Sequence, residues 1–257
     1  MKQLITILPS LLFGLITFVR NKLYDWVILP STSFDKPRII VVGNLSVGGT
    51  GKSPFVSYLV QNWRGNDRLG ILSRGYGRKT KGYLDVQVDS TAEEVGDEPL
   101  AYKTLFPELP VVVCENRVKG VQQMPEVDVL LLDDAFQHRS IKGSVNLVCS
   151  TFSQPFYSDS MLPQGRLRES AKGIKRADAV IVTRCPGILT KEQKSNFAQG
   201  VLRNTKEEKP IFYTSVRYGK PQGPREYLPS KWSLFAGIAD PKPFFTYAAS
   251  LGQVQEE

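Results

Sequence analysis

Short apolar runs recur along the chain at Lys36–Gly43, Pro110–Cys114, Asp128–Asp134, Val145–Cys149 and Ala179–Thr183. Each is rich in Val, Ile and Leu at consecutive positions, a pattern that predicts strands buried on both faces. The stretches between them are long enough for crossovers, which gives an α/β fold with a mostly parallel sheet and helices on both faces. In such a sheet a site is expected at the carboxyl ends of the strands.

A different pattern opens the chain. Leu4–Val19 is apolar, interrupted by Pro9, Ser10 and Gly14. With Pro9 as a helix-opening residue, Leu8, Leu11, Leu12, Leu15, Val19 and Leu23 recur at helical spacing. Arg20 and Lys22 follow, with Tyr24 and Trp26 close behind. Apolar stripe, basic residues and boundary aromatics together predict an interfacial, membrane-associated helix over 1–25. The alternative is a helix packed on the domain core. The stretch is shorter than the roughly 20 residues of a spanning helix, and no cleavage site marks it as a secretory signal.

The 257 residues, 41% apolar and 23% charged, suit one large globular domain, here 26–228, plus the start of an incomplete C-terminal α/β domain over 229–257. The net charge of +8 favours anionic partners, either a membrane surface or a phosphorylated substrate. Basic residues concentrate in Arg64–Lys81 and Arg166–Arg176 without the interleaved aromatic motifs of RNA binders, so nucleic acid is not expected. Cys114, Cys149 and Cys185 have no metal-ligand spacing and read as free buried thiols of a reducing compartment.

After the first of the strand-like runs comes Ser46-Val47-Gly48-Gly49-Thr50-Gly51-Lys52-Ser53, then Pro54 and the helix-periodic Phe55, Val56, Tyr58, Leu59 and Val60. Strand, glycine-rich loop and helix in that order form the context of a phosphate-binding loop. Glycines let backbone N–H groups turn toward phosphate oxygens, and the helix N-terminus adds partial positive charge. Lys52 supplies a point charge for the β- and γ-phosphates of ATP, and the Ser53 hydroxyl is placed to ligate Mg²⁺. Ser46 stands where the general pattern has glycine.

The run Asp128–Leu132 ends in Asp133 and Asp134, followed by Ala135, Phe136, Gln137, His138 and Arg139. A strand-end aspartate beside such a loop holds Mg²⁺, directly or through water. Neighbouring strand side chains point to opposite faces, so both face the metal only if the strand ends between them. Asp133 is the favoured metal residue, with the reverse order open. His138 is the chain's single histidine, and it either orients an aspartate, touches a phosphate or is a structural hydrogen-bonding residue.

Taken together, VVGNLSVGGTGKSP (41–54), SRGYGR (73–78), VGDEPL (95–100), LLDDAFQHR (131–139), LPQGRLRE (162–169) and FAGIADPKPFF (235–245) resemble the tetraacyldisaccharide 4'-kinases of lipid A biosynthesis. The resemblance runs over nearly the whole chain, and Ser46 matches that family. It implies a monotopic enzyme on the cytoplasmic face of the bacterial inner membrane. Such an enzyme uses ATP–Mg²⁺ to phosphorylate the 4'-hydroxyl of an acylated diglucosamine 1-phosphate. It makes Asp97 part of the catalytic base, directly or through a histidine, with Lys52 and Asp134 catalytic beside it. Arg74 and Tyr76 fall near acceptor or nucleotide. Arg117 is expected to clamp phosphate, Arg166 and Arg168 to meet the acceptor phosphate, and Glu169 to approach Mg²⁺ through water; for these four a surface role stays open.

Family members carry a histidine motif beyond the segment at 235–245, whereas no histidine follows His138 here. A fragment is the expected explanation, with ATP binding and weak or absent turnover. A GTPase or metallochaperone-like switch is the competing class. Thr183-Arg184-Cys185-Pro186 stands where an Asn-Lys-x-Asp guanine motif is expected, which disfavours GTP.

Overall fold

The structure, a computed structural model, describes residues 2–219, 231–237 and 241–256. It divides into two compact units, Met1–Thr214 and Ser215–Glu257. The domain boundary expected at 228 lies outside the described residues.

The first unit opens with α1 (Lys2–Asp25), which contains Pro9 and does not start at it. Proline lacks only one N–H, and the flanking turns carry the helix through. The elements that follow are β1 (Arg38–Asn44), α2 (Lys52–Gln61), β2 (Leu69–Ser73), β3 (Leu84–Asp85), α3 (Ala92–Val95), α4 (Asp97–Leu105), β4 (Val111–Val113), α5 (Arg117–Gln123), β5 (Val129–Asp133), β6 (Val145–Thr151), β7 (Ala179–Thr183), α6 (Lys191–Thr205) and β8 (Ile211–Tyr213). The eight-stranded sheet runs β3-β4-β2-β5-β1-β6-β7-β8. Every pairing is parallel except that of β3 with β4.

Both faces are buried, as the continuous apolar runs require. Ile39, Val41, Leu130, Leu132, Val148 and Val180 belong to one core, and Val42, Ile71, Leu131, Cys149 and Ile181 to the other. The alternation along β5 follows the two-residue strand period. All three cysteines are free and buried. The chain passes from β5 to β6 across β1, so strand order reverses at β1, which places a crevice at its carboxyl end.

The seat of α1 inverts the usual amphipathic rule. Ser10, Gly14, Thr17 and Asn21, spaced along one helical face, turn toward the domain: the Ser10 hydroxyl donates to the Met161 carbonyl at 2.9 Å, and the Asn21 amide donates to Glu169 at 2.8 Å. Leu8, Leu11, Leu12, Leu15, Ile16, Phe18 and Val19 are left exposed. Trp26, Val27 and Ile28 extend this apolar surface past the helix. Its 20-residue span Thr6–Asp25 is long and apolar enough to cross a membrane by length and composition. A polar face bonded to protein along its length argues instead for a helix lying on the domain with its apolar side outward.

The second unit contains β9 (Lys231–Ser233), α7 (Lys242–Ala249) and β10 (Gln253–Glu256). The two strands pair in parallel, and Tyr218 stacks on Tyr247 at 4.9 Å. Among the described residues this unit forms a strand–helix–strand with a two-stranded parallel sheet.

Candidate active site

The loop between β1 and α2 turns on two glycines with positive φ, Gly48 at 98° and Gly51 at 77°. Side chains rarely adopt these angles, and the space beside Gly48 is open, so the loop leaves a cradle of bare backbone. Its outer wall is tied down. Asn44 donates to the Thr50 hydroxyl at 2.7 Å, and the Thr183 hydroxyl of β7 donates to the Thr50 carbonyl at 2.8 Å. Ser46 pairs with Leu167, and the Val47 N–H reaches the Arg166 carbonyl at 2.8 Å. The segment Arg166–Arg168 therefore runs beside the loop like an added strand.

At the start of α2, Lys52 is buried and lies 3.5 Å from Asp134. Arg168 grips the same carboxylate with bonds of 2.9 and 3.0 Å. Burial works to raise the Asp134 carboxyl, but the Lys52 and Arg168 charges outweigh it and hold the group below its ordinary value. Asp134 has φ 49°, just past the last residue of β5. The strand thus ends between the two aspartates, the one condition under which both can face the loop.

Asp133 is different. It is 0% exposed, and neither carboxylate oxygen has a hydrogen-bond partner among the described residues. Burial pushes its carboxyl up to about 7, with the Glu98 and Asp134 charges adding and Lys52 opposing. The Tyr102 hydroxyl sits near both Ser53 and Asp133 without hydrogen-bond geometry to either. Ser53 donates to Glu98 at 2.8 Å. Glu98 was not singled out from the sequence, although its place beside Asp97 at the start of a helix is a paired-carboxylate signal.

Asp97 is exposed and makes no side-chain hydrogen bond among the described residues. Gly96 packs on the backbone of Gly75 and Tyr76, so Asp97 shares a lip with the Arg74–Tyr76 loop. Tyr76 is 86% exposed. Next to it lies a basic cluster. Burial pushes His138 down to about 4, and the guanidiniums of Arg117, Arg74 and Arg20 act in the same direction. His138 is therefore a neutral imidazole. Arg20 comes from α1 and was not anticipated, because only the fold brings it here.

Three of the expected residues are engaged within the protein. Arg117 is 2% exposed and donates to the Cys114 carbonyl at 2.6 Å, so it is neither a solvated residue nor an open phosphate clamp but a buried charge beneath the aspartates. Glu169, 0% exposed, is held by both ends of Arg176 at 2.9 Å and by Asn21 and Gln137, which makes it a brace between α1 and the segment after the paired aspartates. Arg166 pairs with Asp159 at 2.9 Å at the surface.

A parallel sheet with a glycine-cradled loop, a buried lysine and serine at the following helix, and two strand-end aspartates defines a P-loop kinase. The family model described as tetraacyldisaccharide-1-P 4'-kinase (LpxK) matches residues 2–256, and the chain belongs to that family. The tetraacyldisaccharide 4'-kinase of Flavobacterium johnsoniae is 41% identical over 249 residues, covering 93% of this chain and 72% of that protein. The protein of the same name from Cytophaga hutchinsonii is 42% identical over 259 residues, covering 96% and 72%. The crystal structure of "apo" form LpxK from Aquifex aeolicus in complex with ATP superposes with a TM-score of 0.65 at 31% identity, covering 88% of this chain and 86% of that one.

Proposed function

We propose that the chain binds ATP–Mg²⁺ in the loop Ser46–Ser53 and transfers the γ-phosphate to the 4'-hydroxyl of a tetraacylated diglucosamine 1-phosphate. The reaction takes place at the cytoplasmic face of the bacterial inner membrane. The observation that carries this is the convergence of Lys52, Ser53 and Asp134 on a bare glycine cradle beside Asp133, whose two buried oxygens have no partner. Uncompensated buried carboxylate oxygens are costly, and a cation offsets that cost. The residues present thus fit Mg²⁺, with Ser53 and Asp133 as the groups that would hold it.

When bound, the ion neutralises phosphate charge and fixes the phosphates in one geometry. The chain does the rest. Backbone N–H groups of Gly48–Lys52 cradle the phosphates, and Lys52, held by Asp134, carries positive charge to the β- and γ-oxygens. Asp97 stands unpartnered on the lip and accepts the proton of the attacking hydroxyl, directly or through a histidine. As the new oxygen–phosphorus bond forms, the bond from γ-phosphorus to its bridging oxygen breaks, leaving charge on the departing diphosphate beside Lys52. Arg74, Tyr76 and neutral His138, joined by Arg20, line the mouth that meets the acceptor's sugar and phosphate. Arg168 acts through Asp134. The exposed stripe of α1 rests among acyl chains, where the insoluble acceptor is found.

Calorimetry with ATP and Mg²⁺ tests this, paired with single-turnover transfer from γ-labelled ATP to the acceptor in detergent micelles. Magnesium-dependent uptake of ATP is expected, weakened about 100-fold, or ~2.7 kcal/mol, in Lys52→Ala. Preference for GTP, or a Lys52→Ala protein that binds ATP like its parent, overturns the assignment.

A further inference from the structure

We propose that Asn21 and Gln137 are positioning residues that tie the membrane-facing helix to the phosphate-binding loop through Glu169, so that the seating of α1 sets the loop's affinity for nucleotide. The proposal rests on the reading of Ser46–Ser53 as the nucleotide site.

A path of hydrogen bonds joins the two, side chain to side chain except where Gln137 meets the Asn44 backbone. From α1, the Asn21 amide donates to Glu169 Oε2 at 2.8 Å. Gln137 donates through one nitrogen both to Glu169 Oε1 at 3.0 Å and to the Asn44 carbonyl at 2.7 Å. Asn44, closing β1, donates to the Thr50 hydroxyl inside the loop at 2.7 Å. The neighbouring residue Arg168 carries the Asp134 carboxylate that holds Lys52. Asn21 is itself clamped: its side-chain oxygen accepts from Arg20 at 3.2 Å and its backbone carbonyl from Arg139 at 2.8 Å. Arg139 also bonds Asp25 at 2.9 Å, so the segment after the paired aspartates forms the socket for the end of α1.

Two features make this path a coupling and not only glue. Glu169 is fully buried, and a buried carboxylate that loses a donor draws on the donors left. Gln137 is the donor free to respond, because its amide is shared between Glu169 and Asn44. If α1 rolls or lifts, Glu169 loses Asn21, Gln137 shifts toward Glu169, and the Asn44–Thr50 anchor slackens. Asn21 lies on the same helical face as Ser10, Gly14 and Thr17, so burial of the opposite apolar stripe in lipid fixes the rotation that seats it. By linkage, lipid that seats α1 tightens ATP binding, and ATP tightens lipid binding equally.

The test uses the full chain and measures ATP–Mg²⁺ affinity by calorimetry, with and without vesicles of phosphatidylethanolamine and phosphatidylglycerol. Vesicles are expected to tighten ATP binding by about 5- to 10-fold in the parent. Asn21→Ala and Gln137→Ala are each expected to abolish that gain while still cosedimenting with vesicles like the parent. An Asn21→Ala protein that keeps the full gain, or a parent whose ATP affinity ignores vesicles, overturns the proposal. Should Asn21→Ala lose its fold by circular dichroism, the same reading on Gln137→Ala decides. Lys52→Ala separates the two levels: normal ATP binding there removes the site itself, whereas lost binding there with an unchanged Asn21→Ala removes only the coupling.

Discussion

Asp133 and Glu169 are both 0% exposed, yet the protein treats them in opposite ways. Around Glu169 it gathers a bidentate guanidinium from Arg176 and amides from Asn21 and Gln137. Around Asp133 it gathers no hydrogen-bond donor among the described residues, and Glu98 and Asp134 add repulsion. Burying a carboxylate is expensive in either place. In the Glu169 region the fold offsets that cost itself, so the group is a brace. In the Asp133 region the cost is left standing in the folded protein, and the proposed cation site rests on that difference. Burial alone does not separate structural from functional carboxylates; the donors around them do.

The largest effect that sharpens this contrast is expected from Asp133→Asn. Loss of the ligand charge should slow single-turnover transfer at least about 1000-fold, equivalent to ~4 kcal/mol of transition-state stabilisation. Stability should move the other way. The Asp133 carboxyl is raised from 3.8 to about 7 in the folded chain, so the stability linked to its protonated form is full below pH 3.8 and lost as pH rises through 7. Denaturant melts without nucleotide or metal should show the variant gaining on its parent across that window, by up to roughly 4 kcal/mol. A parent more stable than the variant at pH 8 would break the contrast.

Glu169→Ala should do the reverse. It strands the Arg176 guanidinium and two amides, and removing one partner of a buried pair costs about 3–5 kcal/mol. Urea melts should show that loss at neutral pH, where Asp133→Asn shows none. A Glu169→Ala protein with unchanged stability would place Glu169 among the functional carboxylates instead.

Local chemistry made one half of this contrast readable from sequence. The β1–loop–α2 unit and the paired aspartates announce themselves within a dozen residues, because strand period, glycines and charge stand side by side. Asn21 was unreadable as a partner of Glu169, since 148 residues separate them and only the sheet brings them together. The same holds for Arg117, whose carbonyl partner is local but whose burial beneath Asp133 depends on the packing of α5 against the sheet. Pro9 misled for a simpler reason: a helix tolerates one missing N–H when its other face is held by Ser10 and Thr17. Apolar α1 residues gave the stripe and its direction toward a membrane; the polar seat at Ser10 and Asn21 required the fold.

The smallest effect concerns His138, which titrates with the opposite sign to Asp133. Its imidazole is lowered from 6.5 to about 4 by burial and by Arg117, Arg74 and Arg20. A depressed group contributes stability that is full above pH 6.5 and lost as pH falls through 4. Because the ring is partly exposed, solvent screening cuts the expected contribution to about 1 kcal/mol. His138→Gln cannot titrate and should remove that acid-side loss. Melts in the Asp133→Asn background isolate it, since the carboxyl that gains stability over the same range is then absent. Between pH 7 and pH 4 the His138→Gln protein should lose about 1 kcal/mol less than its Asp133→Asn parent. Equal losses would mean that the histidine accepts a proton at its ordinary value, and that Arg74 and Arg20 do not form the cationic mouth assigned to the acceptor.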